Sequence, residues 1–258
     1  MNKIIQILQE LREMDLESSG NQWIHLLHPV VKVMVTITYI LFLVSYSKYA
    51  LSSILIMGIY PAVMIIMGDI SLKKLWKRLK AFFLLAFFLG IANPFFDHRP
   101  IFSIGNITIT GGILSFITLY LKGIFAITAS YLLIISTKIN DICYAFRCLR
   151  LPKFLVSIFL LIYRYLFLLL EEAEKMMQAY ALRAPGQKGI HFKVWGSMIG
   201  QMLLRSMDLA EVLYDSMRLR GFHGEYYFES KRKMEEKDYL FLMICLLFFI
   251  LLRFFIKF

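Results

Sequence analysis

The sequence predicts an all-α fold, a polytopic membrane protein with about five transmembrane helices and a helical cytoplasmic domain. Three observations carry this. Of 258 residues, 59% are hydrophobic and 18% charged, against about half and a quarter in an ordinary soluble domain. The apolar residues gather in runs of span length, and the basic residues gather between them. Twenty-three Phe with fourteen each of Tyr and Met exceed what one globular core can hide, so lipid must solvate much of the chain. The formal charge of +11 would suit anionic lipid or nucleic acid. Its placement favours the lipid bilayer and no nucleic-acid partner.

Residues 2–14 carry Ile4, Ile5, Leu8 and Leu11 at helical spacing and read as an amphipathic helix in a cytoplasmic N-terminal segment, 1–28. Glu10, Glu13, Asp15 and Glu17 break any apolar core there, unlike a signal peptide. Four apolar runs follow, at 30–47, 50–68, 81–97 and 111–136, each near the about 20 residues that cross a hydrocarbon core. Together they make a membrane domain, 29–137. The first two are joined so briefly that they form an antiparallel hairpin. A fifth run, 239–256, forms the last transmembrane helix within 238–258. Lys73, Lys74, Lys77, Arg78 and Lys80 lie in the second connection, and only Arg99 lies in the third. The basic connection belongs inside the cell, which makes the N-terminus cytoplasmic. Residues 138–237 then form one cytoplasmic domain.

Within that domain, 151–170 is nearly as apolar as a span, interrupted only by Lys153 and Arg164. A sixth span is one reading. The favoured one is a long helix packed against the membrane domain, because Glu171, Glu172 and Glu174 extend the pattern to Gly186 without a loop signal. Pro152 fits its first turn, and Pro185-Gly186 stops it. Laying 164–186 over 201–223 pairs Glu171 with Asp208, Ala173 with Ala210, Glu174 with Glu211, Leu182 with Leu219 and Arg183 with Arg220. Each copy is a helix with an Arg in its last turn before a breaker, Ala184-Pro185-Gly186 or Gly221-Phe222. An Arg there complements the helix dipole. Two matching tips favour recognition of a two-fold partner, since a guanidinium offers a rigid fork of donors and the residue after it lets the tip enter closely.

Chemistry is sparse. No GxxxxGK[ST] loop cradles phosphate, and no Ser-His-Asp or Cys-His arrangement can be argued, so neither catalysis nor a cofactor is expected. His25 and His28, three residues apart, could share a metal, but their place beside a membrane entry favours a structural role. Asp97-His98 reads as solvated outer loop, and His191 and His223 as surface residues. Cys143, Cys148 and Cys245 lack metal or disulfide spacing and are expected to pack as small hydrophobes. Lys122 is the only deep charge in a span, about 16 Å along its helix from Gly111. It either meets a neighbouring helix or snorkels outward. Lys32, Asp69 and Arg253 sit near span ends.

Arg164-Tyr165-Leu166-Phe167, Leu170-Glu171-Glu172-Ala173-Glu174, Leu182-Arg183-Ala184-Pro185-Gly186, Gly200-Gln201-Met202-Leu203-Leu204-Arg205-Ser206 and Met217-Arg218-Leu219-Arg220-Gly221-Phe222 resemble the transmembrane (T) component of energy-coupling factor transporters. The version resembled is CbiQ, of cobalt and nickel uptake. The resemblance implies a multi-pass protein of a bacterial or archaeal cell membrane, with 138–237 as a coupling domain. It also implies two Ala-Arg-Gly signatures that dock into grooves of two ATP-binding cassette ATPase subunits. The matching positions are Leu182-Arg183-Ala184 and Leu219-Arg220-Gly221. Both arginines are kept, Leu replaces the first Ala in each, and Ala184 replaces the first Gly. The ATPase-coupling residues so implied are Arg183, Ala184, Arg220 and Gly221, with a separate metal-binding membrane subunit as the other partner. Met176, Met177, Met198, Met202, Met207 and Met217 would adapt to a partner that shifts. The alternatives are a self-contained permease, which should show polar residues midway along several spans, and a membrane-anchored basic lipid-binding domain.

Overall fold

The computed structural model describes residues 13, 23–48, 50–71, 73–77, 79–80, 83, 100–104, 107–187, 189, 191–224 and 234–255. Apart from positions 13 and 83, the amphipathic helix at 2–14 and the span at 81–97 lie outside the described residues, as do Asp97 and His98. In chain order the elements are α1 (Trp23–Leu26), α2 (Pro29–Ser45), α3 (Leu51–Met57), α4 (Ile59–Met67), β1 (Pro100–Ile104), β2 (Ile107–Thr110), α5 (Gly111–Ser136), α6 (Ile139–Cys148), α7 (Lys153–Arg183), α8 (Phe192–Leu219) and α9 (Glu236–Phe255). They fall into two compact units, one within Glu17–Lys138 and Arg232–Phe258, the other within Met1–Leu16 and Ile139–Lys231.

In the first unit, α2 starts where Pro29 supplies a helical φ and needs no N–H partner. His28 precedes it in extended conformation, and its Nδ1 accepts the Val30 N–H at 3.3 Å. Val31, Val35, Tyr39 and Leu43, four residues apart, put one stripe of α2 into the core. Ile54 and Met57 of α3, Ala129 of α5, and Cys245 and Phe249 of α9 close around that stripe. Tyr39 is fully buried, with its ring centroid 5.6 Å from that of Phe249. Its hydroxyl donates to the Met57 carbonyl at 3.2 Å.

The apolar rod 51–67 is interrupted at Gly58, where α5 comes close. A Cβ at 58 would stand 2.6 Å from Phe125 Cζ and 3.0 Å from the Leu55 carbonyl oxygen. Gly58→Val should therefore destabilise the protein by about 1–3 kcal/mol, the usual cost of overpacking. Thermal unfolding in detergent reads this, and an unchanged midpoint would mean that α5 does not pack there.

The all-α class holds with one addition. β1 and β2 pair antiparallel, with Ile104 opposite Ile107, in the connection read as outer loop. Gly111–Ser136 and Lys153–Arg183 are long and apolar enough to cross a membrane by length and composition, while Pro29–Ser45 and Leu51–Met67 are shorter apolar helices.

In the second unit, α6 ends with Arg150 in the left-handed region, φ 65°, and the Leu151 N–H on the Phe146 carbonyl at 3.1 Å. Pro152 then stands at the N-cap of α7, which runs unbroken for 31 residues. The long single helix expected from 151 to 186 is present. Only Val156 and Ser157 of α7 are buried, and α8 buries no residue.

Candidate functional site: two arginine-tipped helices

Arg183 and Arg220 stand at the ends of α7 and α8, both exposed. The leucines before them, Leu182 and Leu219, are 83% and 90% exposed. Each tip thus offers water an apolar side chain beside a guanidinium, the pairing of apolar anchor and Arg that interface centres favour.

The two helices stop differently. After Arg183, Ala184 leaves the helical region, φ −126° and ψ 67°. Ala184-Pro185-Gly186-Gln187 then makes a type II turn, with Gly186 at φ 88° and the Gln187 N–H on the Ala184 carbonyl at 3.3 Å. Tyr180 ties this turn to α7, its hydroxyl donating to Gln187 Oε1 at 2.9 Å and accepting the His191 N–H at 3.3 Å. Beyond α8, Gly221 takes φ 80° immediately after Arg220. The Phe222 N–H reaches the Met217 carbonyl at 3.0 Å, and the Gly221 N–H reaches that of Arg218 at 2.9 Å. That is the Schellman stop. Arg183 is accordingly the last helical residue, and Arg220 lies one residue past its helix. The two tips are alike in sequence but not in backbone, because the Cβ of Ala184 disfavours the left-handed conformation that Gly221 adopts freely.

Behind the first tip, Lys175, Tyr180 and Arg183 of α7 face Gln201 and Arg205 of α8 across a cleft of about 570 Å³. Glu172 pairs with Arg205 across the two helices and holds Lys175 at 3.4 Å along its own.

In the first unit Lys122 meets a neighbouring helix. Its Nζ donates to the carbonyls of Val44 at 3.2 Å and Tyr46 at 2.5 Å. Arg253 donates from Nη1 to the Ser45 carbonyl at 3.1 Å and lies 5.6 Å from the Tyr46 ring centroid. Two cations therefore cap the negative end of α2.

Two buried charges carry more than their positions in the sequence suggested. Lys32, read as a span-end lysine, is 4% exposed and donates from Nζ to the Ser136 carbonyl at 2.7 Å. Asp238, 2% exposed, accepts the Glu235 N–H at 3.0 Å and the His28 N–H at 2.9 Å. The spacing of Asp238 from Glu235, that of a carboxylate reaching back over a first turn, was the available signal. His28 has a structural role as N-cap, and the side chain of His25 lies outside the described residues. Among the described residues no three His, Cys, Asp or Glu side chains group to hold a metal. Cys143 and Cys245 are buried, whereas Cys148 is exposed and does not pack as a small hydrophobe. Burial pushes the Cys143 thiol up from its ordinary pKa.

The CbiQ family, described as cobalt transport protein, matches residues 20–234. The energy-coupling factor transporter transmembrane protein EcfT of Leuconostoc gelidum subsp. gasicomitatum is 28% identical over 231 residues, 79% of this chain and 81% of that protein. An uncharacterised protein of Methanocaldococcus jannaschii is 28% identical over 225 residues, 82% of this chain and 76% of its own. The nickel permease LarQ of Lactiplantibacillus plantarum is 28% identical over 120 residues, 46% of this chain and 44% of its own.

Proposed function

The chain belongs to the CbiQ family, the transmembrane component of energy-coupling factor transporters, and we propose that it transmits ATPase motion in an importer of cobalt or nickel. The observation that carries this is the pair of exposed Leu-Arg tips on two separate helices. Arg183 with Ala184, and Arg220 with Gly221, would each enter a groove on one of two ATP-binding cassette ATPases. ATP-driven closure of that pair would draw the tips together. The helices behind them would pass the movement to a separate metal-binding membrane subunit.

Apolar side chains left open on α7 and α8, such as Phe159 at 58% and Ile199 at 60% exposure, support such a partner, since lipid or protein must cover them. On this reading the polar half of α7 lies in the cytoplasm, where the N-terminus also lies. Lys122 is a structural contact that caps α2, not part of an ion path.

Tagged full chain, co-expressed with the ATPases and the membrane protein encoded beside it, should copurify with both and import radioactive nickel or cobalt only with ATP. Metal uptake by the chain alone, independent of ATP, would favour a self-contained permease instead.

A further inference from the structure

The chain passes between its two units three times, and two of these crossings run from Lys138 to Ile139 and from Lys231 to Arg232. Both of these are tied, on the first unit's side, to one turn of α2. Before the crossing at Lys138, the carbonyl of Ser136 is held by Lys32 Nζ at 2.7 Å. After that at Lys231, the carboxylate of Asp238 holds the His28 N–H at 2.9 Å. His28 and Lys32 are joined by the first backbone bond of that turn, Lys32 N–H to His28 carbonyl, 3.3 Å.

Charges suit helix ends throughout this corner. The ammonium of Lys32 lies at the negative end of α5, and the carboxylate of Asp238 at the positive ends of α2 and α9. Both side chains are buried, at 4% and 2% exposure. A charge held out of water keeps its partner tenaciously, because release leaves it unsatisfied.

We propose that this turn of α2, with Lys32 and Asp238 as its positioning residues, is the anchor that delivers movement of the coupling helices to the spans. The inference rests on the coupling function proposed above. Only Thr137 and Lys138 separate the Ser136 anchor from the crossing to Ile139. Two residues extend about 7 Å at most, too little slack to absorb a displacement of several ångströms. On the return, Asp238 fixes its own helix start through Glu235 at 3.0 Å. A pull on either of these crossings reaches the same turn, so α2, α5 and α9 move as one body. With separate anchors the same pull would splay them.

The test uses the full complex in proteoliposomes, reading ATP hydrolysis and radioactive nickel uptake in the same vesicles. Lys32→Met removes the Nζ bond and keeps the bulk. Loss of a charge-assisted bond shifts the ratio of anchored to released states by at least about tenfold. Nickel moved per ATP should fall by a similar factor, with ATPase copurification and hydrolysis within about twofold of the parent. Lys32→Arg should restore most of the ratio.

Thr36→Val is the control for a merely structural role. Thr36 is buried and its hydroxyl donates to the Lys32 carbonyl at 2.8 Å, so its loss weakens the same helix while leaving the Nζ bond to Ser136 in place. Its ratio should be unchanged. The anchor is refuted if Lys32→Met lowers uptake and hydrolysis in parallel, leaves the ratio intact, or matches Thr36→Val. A parent chain that binds no ATPase would instead refute the coupling function and not the anchor.

Discussion

Arg183→Glu combined with Arg220→Glu should release the ATPase subunits and abolish ATP-driven metal import while the chain stays folded in the membrane. Both side chains are exposed and α8 buries nothing, so the change should cost the isolated chain less than about 0.5 kcal/mol. Its effect on assembly should be far larger. Losing one partner of a hydrogen-bonded charge pair in an interface costs about 2–5 kcal/mol, and reversal adds repulsion. If the tips engage two ATPases as proposed, either single reversal should leave one subunit attached and hold the other nearby. Arg→Lys at both tips should give an intermediate loss, since ammonium keeps the charge but not the planar fork. A doubly reversed chain that still copurified with ATPases and imported nickel would end the coupling reading. The lipid-binding alternative expects a different outcome, in which membrane binding falls with any charge reversal across 138–237 and these two positions are not special.

Much of this was legible because it is local. The run 30–47 begins within one residue of α2, Pro152 and Pro185-Gly186 bracketed α7, and the run 111–136 coincides with α5. Periodicity and breakers act within a few residues, so a sequence displays them directly. The Arg tips were legible too, through repetition. Their unequal backbones followed from one residue, Ala184 against Gly221, whose consequence shows only once φ is known. The hairpin of β1 and β2 left a signal that went unread, alternating β-branched residues around Gly105-Asn106. What local pattern does not contain is which helix end a buried charge will meet. Lys32 finds Ser136 across 104 residues, and Lys122 finds Tyr46 across 76. Both partners are backbone carbonyls, which every residue carries, so nothing in composition marks them.

Asp238→Ala should be among the most destabilising single changes in the first unit, by about 2–5 kcal/mol. The buried N–H of His28 and the partly buried N–H of Glu235 lose their acceptor, and an orphaned buried donor costs about 1–3 kcal/mol. The starts of two helices lose a negative charge at the same moment, each worth about 0.3–1 kcal/mol or more when buried. Asp238→Asn keeps one acceptor oxygen but turns an NH2 toward the other donor, so it should recover only part of the loss. Asp208→Ala, at an exposed position of α8, should shift stability by less than about 0.5 kcal/mol and controls for loss of an aspartate as such. Thermal unfolding in detergent compares the three. An Asp238→Ala midpoint equal to that of Asp208→Ala would refute the shared cap. The size of the effect follows from topology: His28 and Asp238 are 210 residues apart, so one carboxylate closes the first unit between the start of α2 and that of its last helix, α9. Loss of that bond frees the start of α9 from the start of α2, and unfolding should begin there.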